Sequence, residues 1–176
     1  VQHGALAAQK PSAVNPKPPM TERVVLCMKW GTLYPAEYVN VLYSACRNHI
    51  SGDFRFVCLT NETQGIRPEV QLHPIPDIGL DEWHYDNGAW PKIGVFLSDL
   101  YGLTGRALFI DLDTVLLGNI DALFEQPGPL VAIDNDPWKD KTGQPQTMSS
   151  VFAFELGSLG HVVDALRAHR DELVKR

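Results

Sequence analysis

Asp111 and Asp113 are separated by one residue and follow directly on the apolar run Leu108-Phe109-Ile110. On an extended chain, carboxylates at i and i+2 share one side, about 6.6 Å apart. Leaving a buried strand together, they repel each other, and their pKa values rise unless a cation intervenes. A hard divalent ion with oxygen ligands, Mg2+ or Mn2+, meets that need and keeps coordination positions for phosphate oxygens. A second acidic group, Asp134-Asn135-Asp136, ends the apolar run 130–133 in the same way. The plain alternative is two solvated acids in a turn. The apolar run before the pair and the second acidic tip weigh against it.

Elements that could position these groups follow one another along the chain. Short apolar runs predict strands at Val24–Met28, Phe54–Thr60, Val70–Ile75, Ala107–Asp111, Leu130–Asp134 and Val151–Glu155. Helical spacing relates Tyr38, Val41, Leu42, Ala45 and Cys46 after Pro35, and Ile93, Phe96, Leu97 and Leu100 after Trp90-Pro91. A helical turn is expected around Ile120–Phe124, and a terminal helix carries Leu159, Val162, Val163, Leu166 and Leu173. Strands alternating with helices predict an α/β fold on a mostly parallel sheet. Ligands of such sheets gather beyond the C-terminal strand ends. The residues to inspect are therefore Lys29-Trp30-Gly31, Thr60-Asn61, Asp111-Leu112-Asp113 and Asp134-Asn135-Asp136. Trp83, His84, Tyr85 and Asp86 form an aromatic and polar loop, suited to sugar stacking or to service as a lid anchored on the core.

Composition narrows the partners. The chain has 176 residues, 44% hydrophobic and 20% charged, which fits one globular domain. A net charge of −6 without a basic run argues against tracking a nucleic-acid backbone. No apolar run approaches the ~20 residues of a membrane-spanning helix. Cys27, Cys46 and Cys58 fall in apolar stretches without metal-ligand spacing, as buried free thiols do, which points to a reducing, cytoplasmic compartment. Residues 1–20 hold four prolines, two lysines and no acid, and read as a flexible leader to a domain spanning 21–176. Met20 is a candidate natural start.

The ordered set Asp111-x-Asp113, Val115-Leu116-Leu117, Gly118-Asn119-Ile120-Asp121 and Leu123-Phe124 resembles the nucleotide-diphospho-sugar glycosyltransferases of the GT-A fold. Among these it is most similar to bacterial relatives of glycosyltransferase family 8, and the likeness spans most of residues 23–170. The resemblance implies a GT-A fold and transfer of a sugar, in such families most often from a UDP-sugar, to a glycan, lipid or protein acceptor. It implies Mn2+ or Mg2+ on Asp111 and Asp113. It also implies donor contacts from Met28, Lys29, Trp30 and Gly31 at the first strand, and from Lys92 at the helix start. Asp111, Leu112 and Asp113, then Asp134, Asn135 and Asp136, and finally Ser149 and Ser150 complete that set. No catalytic residue is assigned.

Two departures modify the expectation. Ser149 stands where the family has Asn, which shortens the polar reach towards the donor sugar. The family's third metal ligand, a His followed by Gly and Lys, belongs to a segment past the last helix here, and neither His161 nor His169 has that context. The resemblance thus implies a domain incomplete at its C-terminal end, binding UDP weakly, transferring sugar poorly and exposing an apolar strip prone to self-association. Two other readings remain open. Asp111-Leu112-Asp113-Thr114-Val115 also matches the first motif of haloacid-dehalogenase-like phosphatases, with Asp111 as nucleophile over Mg2+. That motif normally sits on the first strand of its domain, whereas some ninety residues of strand and helix precede Asp111. The third reading is a GT-A-like module that binds a nucleotide without chemistry.

Overall fold

The computed structural model describes residues 22–134 and 147–173. The expected leader and the candidate ligands Asn135 and Asp136 lie outside the described residues. Six strands form one sheet: β1 (Arg23–Lys29), β2 (Arg55–Thr60), β3 (Gln71–His73), β4 (Arg106–Ile110), β5 (Leu130–Asp134) and β6 (Thr147–Glu155). Their order across the sheet is β3-β2-β1-β4-β6-β5. β1 pairs in parallel with β2 and β4, and β2 with β3, whereas β6 is antiparallel to both β4 and β5. Five strands therefore run one way, and β6 alone brings its N-terminal end to the edge where the others finish.

Both faces of the sheet are covered, which is why the central strands read as continuous apolar runs rather than alternating ones. Val25 and Cys27 of β1, with Leu108 and Ile110 of β4, face one core layer. Helix α1 (Ala36–His49) contributes Val39, Leu42 and Cys46 to it, and α3 (Asp121–Glu125) contributes Phe124. Val24, Leu26, Met28 and Phe109 face the opposite layer, packed against Val95, Leu100 and Leu159. Helix α4 (Gly160–Leu173) buries Val163 and Leu166 against Ile78 in a smaller cluster.

Several elements differ from the periodicity. The buried face of α1 is Ala36, Val39, Leu42 and Cys46, while Tyr38 and Val41 are 42% and 68% exposed. Helix α4 has non-helical backbone at His169, and Leu173 beyond it is exposed. The segment Trp90–Phe96 is a 3-10 helix, which ends before Leu97 and Leu100 can join its face. β3 is shorter than the run that predicted it, and β6 begins four residues earlier, at polar residues.

Cys27 and Cys58 are register partners on β1 and β2, and Cys46 packs in the same layer. All three thiols are free and buried. Burial pushes Cys27 well up, aided by its hydrogen bond with Cys58, and lifts Cys46 to about 12. Among the described residues no helix is long and apolar enough to cross a membrane.

Candidate functional site

From β1 the sheet grows outward through β2 to β3, and the chain then returns to the other side of β1 for β4. Between β1 and β4 the crossovers diverge, the usual position of a ligand crevice in such sheets. A cleft of about 300 Å³ lies there, with Met28 and Trp30 from the β1 tip, Tyr34 from the loop before α1, and Asp111 and Asp113 from the β4 tip. Lys92 completes it from the 3-10 helix, whose first turn is preset by Pro91.

Asp111 is gripped on two sides. Its backbone N–H donates to Ser150 O at 2.8 Å, which extends the β4–β6 ladder past the last strand residue. Its carboxylate receives the Lys92 ammonium at 2.6 Å, and the same ammonium donates to Ser149 O at 3.4 Å. A register shift makes this possible: Ala132 faces Phe152, but its neighbour Ile133 faces Met148. Residues 149–151 are thus released from β5 at the point nearest Lys92, as bulges beside functional sites do.

The acidic pair is not extended. Thr114 N donates to Asp111 O at 3.1 Å, closing a turn around Leu112 and Asp113. Leu112 turns its side chain into the core, Asp111 is half-buried and Asp113 is exposed. The two acids consequently meet different partners, and Asp113 accepts a hydrogen bond from the Tyr34 hydroxyl at 2.9 Å. That bond raises the Tyr34 pKa.

The Asp111 carboxyl titrates above its ordinary value. Burial is the main cause; Lys92 opposes it, and the nearby Asp113 charge adds a smaller rise. Mutual repulsion is therefore the lesser part of what the pairing predicted. Because the fold holds this proton more tightly than the unfolded chain does, Asp111 adds stability below its ordinary pKa. That contribution is lost as pH rises through the folded value. Replacing Lys92 with Met should push the Asp111 midpoint further up when followed by carboxyl 13C NMR. An unmoved or lowered midpoint would show that Lys92 does not restrain it.

Asp111 and Asp113 offer hard oxygen ligands, and burial leaves the Asp111 charge short of compensation even with Lys92 in place. The pair is thus suited to a divalent cation. No group of three or more His, Cys, Asp or Glu side chains suited to a metal forms among the described residues.

Other predicted site residues stand elsewhere. Lys29 is 2% exposed and points away from this cleft, its ammonium 2.6 Å from Glu62 Oε2. Gly31 is exposed at φ +62°, a left-handed turn that needs glycine, and its carbonyl accepts from Lys29 at 3.5 Å. Thr60 is buried and exchanges hydrogen bonds with the Glu62 backbone. Asp134 ends β5 at the sheet edge, exposed and opposite Thr147, and lines neither this cleft nor its neighbour. Ser149 lines that neighbouring cleft. His161 and His169 are exposed.

The 83–86 segment is helix α2 (Glu82–Asp86) and divides its roles. His84 is buried on Asp81, between the indoles of Trp83 and Trp90, whereas Tyr85 and Asp86 line the cleft. Trp30 Nε1 donates to Tyr85 O at 2.9 Å, pinning this wall to the β1 tip. Tyr34, like Leu33, Gly88 and Ala89, lines the cleft without being a strand-tip residue. The sequence signal for Tyr34 is an aromatic residue directly before the helix-starting Pro35, on a loop at the ligand edge.

No family model matches the chain, and no curated protein matches it. Among solved structures, the apo structure of the WbbM bifunctional glycosyltransferase is similar over 90% of this chain, at 17% sequence identity and a TM-score of 0.44. This chain spans 34% of that one, and a likeness of this size identifies neither family nor activity.

Proposed function

We propose that the chain is a glycosyltransferase of GT-A type, with residues 21–176 forming a domain that binds a nucleotide-diphosphate sugar, in the first place a UDP-sugar. The observation that carries this reading is the pairing of a half-buried, Lys92-held Asp111 with an exposed Asp113 at the β1–β4 crevice. Trp30 and Tyr34 offer aromatic faces to a nucleobase at the β1 side of the cleft. Asp111 and Asp113 would hold Mn2+ or Mg2+, which when bound neutralises charge growing on the diphosphate as the glycosidic bond breaks. Lys92 orients Asp111 and presents its ammonium to the donor sugar or phosphate. Ser149 and Ser150 hold Lys92 and Asp111 through their carbonyls, so in this reading they support the site more than they touch the donor. The acceptor is a hydroxyl compound of glycan, lipid or protein origin.

The phosphatase alternative fits less well. Its nucleophile must be free to attack, and Asp111 is engaged by Lys92 and follows the fourth strand rather than the first. Calorimetric titration with UDP tests the proposal. Affinity should rise about tenfold or more when Mg2+ or Mn2+ is present, and Asp113→Asn should remove that dependence. Equal affinity with and without metal in both proteins would sink it. Hydrolysis of p-nitrophenyl phosphate that vanishes in Asp111→Asn would support the phosphatase instead. Metal-coupled UDP binding without turnover of any UDP-sugar would identify a binding module.

A further inference from the structure

Across Lys92 from the donor cleft lies a second cleft of about 210 Å³, with which it shares Ala89 and Lys92. Its chemistry is different. Ile93, Phe96, Ala132, Met148 and Phe152 line it, with the Phe96 and Phe152 rings 5.7 Å apart. Polar side chains in the lining are Lys92, already engaged by Asp111 and Ser149 O, and the hydroxyl-bearing Thr147 and Ser149. A bare sugar placed here would leave most of its hydroxyls without partners, which is costly in an apolar site. An apolar cavity of about 150 Å³ accepts a benzene ring, so this space suits one ring or a short alkyl chain.

We propose that this cleft is the acceptor subsite and that it selects a hydroxyl compound carrying an alkyl or aryl group. The inference rests on the donor reading of the neighbouring cleft. In transfer, the acceptor oxygen bonds to the anomeric carbon and the diphosphate oxygen leaves with the electron pair. The hydroxyl proton passes to the departing diphosphate. The acceptor hydroxyl must therefore reach the sugar end of the donor cleft, which Lys92 and Asp111 mark. The apolar group then enters the space on the far side of Lys92, whose wall, Ala89 and Lys92, is shared with the donor cleft.

The chain supplies its own reporters. Of its three methionines, Met20, Met28 and Met148, Met28 lines the donor cleft and Met148 the apolar one. With 13C-methyl methionine labelling of the full chain, UDP with Mg2+ should shift the Met28 signal. n-Alkanols from butanol to hexanol should shift Met148 saturably, with affinity rising about three- to fourfold per methylene until the cleft is full. Methanol should do nothing. Ala132→Phe, which fills the cleft, should weaken the hexanol response at least tenfold and leave the Met28 response to UDP intact. Leu130→Lys, at an exposed position of the lining, should do the same without challenging the core. A Met28 signal that answers UDP beside a Met148 signal indifferent to every alkanol overturns the acceptor assignment alone. So does a Met148 signal that moves on dilution and not with alkanols, which hands the cleft to a second copy of the chain. A Met28 signal unmoved by UDP overturns the donor reading and the acceptor assignment with it.

Discussion

Asp113→Ala is expected to lower turnover of a UDP-sugar by roughly 10²–10³-fold while leaving thermal stability close to that of the parent. The magnitude is that of removing one preorganised group from a site where charge develops. The sparing of stability follows from exposure: Asp113 meets the Tyr34 hydroxyl and no core contact is lost. Tyr34→Phe supplies a graded comparison, since it deletes a partner of the carboxylate and keeps the ring. Loss of such a partner typically weakens metal affinity about 10–100-fold. UDP release from a panel of UDP-hexoses, measured across Mg2+ concentrations, separates the cases. Tyr34→Phe should be restored by excess metal and Asp113→Ala should not. Full turnover in Asp113→Ala would remove the acidic pair from the proposed chemistry.

The opposite pattern is expected at the other end of β4. Gly105 sits at φ +94° directly before that strand, and a Cβ there would stand 2.3 Å from Glu22 O, a backbone atom. The carbonyl cannot retreat, because it accepts from Arg106 N at 2.9 Å and sets the start of the β1–β4 pairing. Gly105→Ala should therefore cost on the order of 3 kcal/mol, combining the left-handed backbone with the clash. At this size of domain that is a fall of roughly 6–12 °C in melting temperature. Gly102→Ala isolates the first contribution, since φ is +68° with nothing within 4 Å, and should cost about 1 kcal/mol. Calorimetric melting of the two variants checks the difference. Equal losses would mean that the chain ends around Glu22 shift freely.

These two positions also show what the amino-acid order discloses. Runs such as Val24–Met28 and Ala107–Ile110 are legible as strands because both faces are buried and every letter is apolar. Asp111 is legible because an acid directly after such a run has few structural excuses. Lys29 is misleading for the same reason: a charge at a strand tip resembles a ligand contact until Glu62, 33 residues away, takes it. Nothing local marks that partner. The reversal of β6 is equally hidden, since Thr147–Ser150 carries polar letters and strand direction leaves no trace in composition. Helix α1 allowed two apolar stripes that share Leu42 and Cys46, and the one completed by Ala36 and Val39 is buried.

The buried thiols give the chain a clock that needs no label. A thiol reagent attacks the thiolate; Cys27, Cys46 and Cys58 are all sealed from reagent by burial, and the surroundings of Cys27 and Cys46 also hold those two protonated. They can react only when β1, α1 and β2 part, so each modified cysteine records one opening of the half of the sheet that carries Trp30 and Tyr34. If the three are consumed together, that half opens as a unit. If Cys46 is consumed first, α1 lifts away while the strands stay paired.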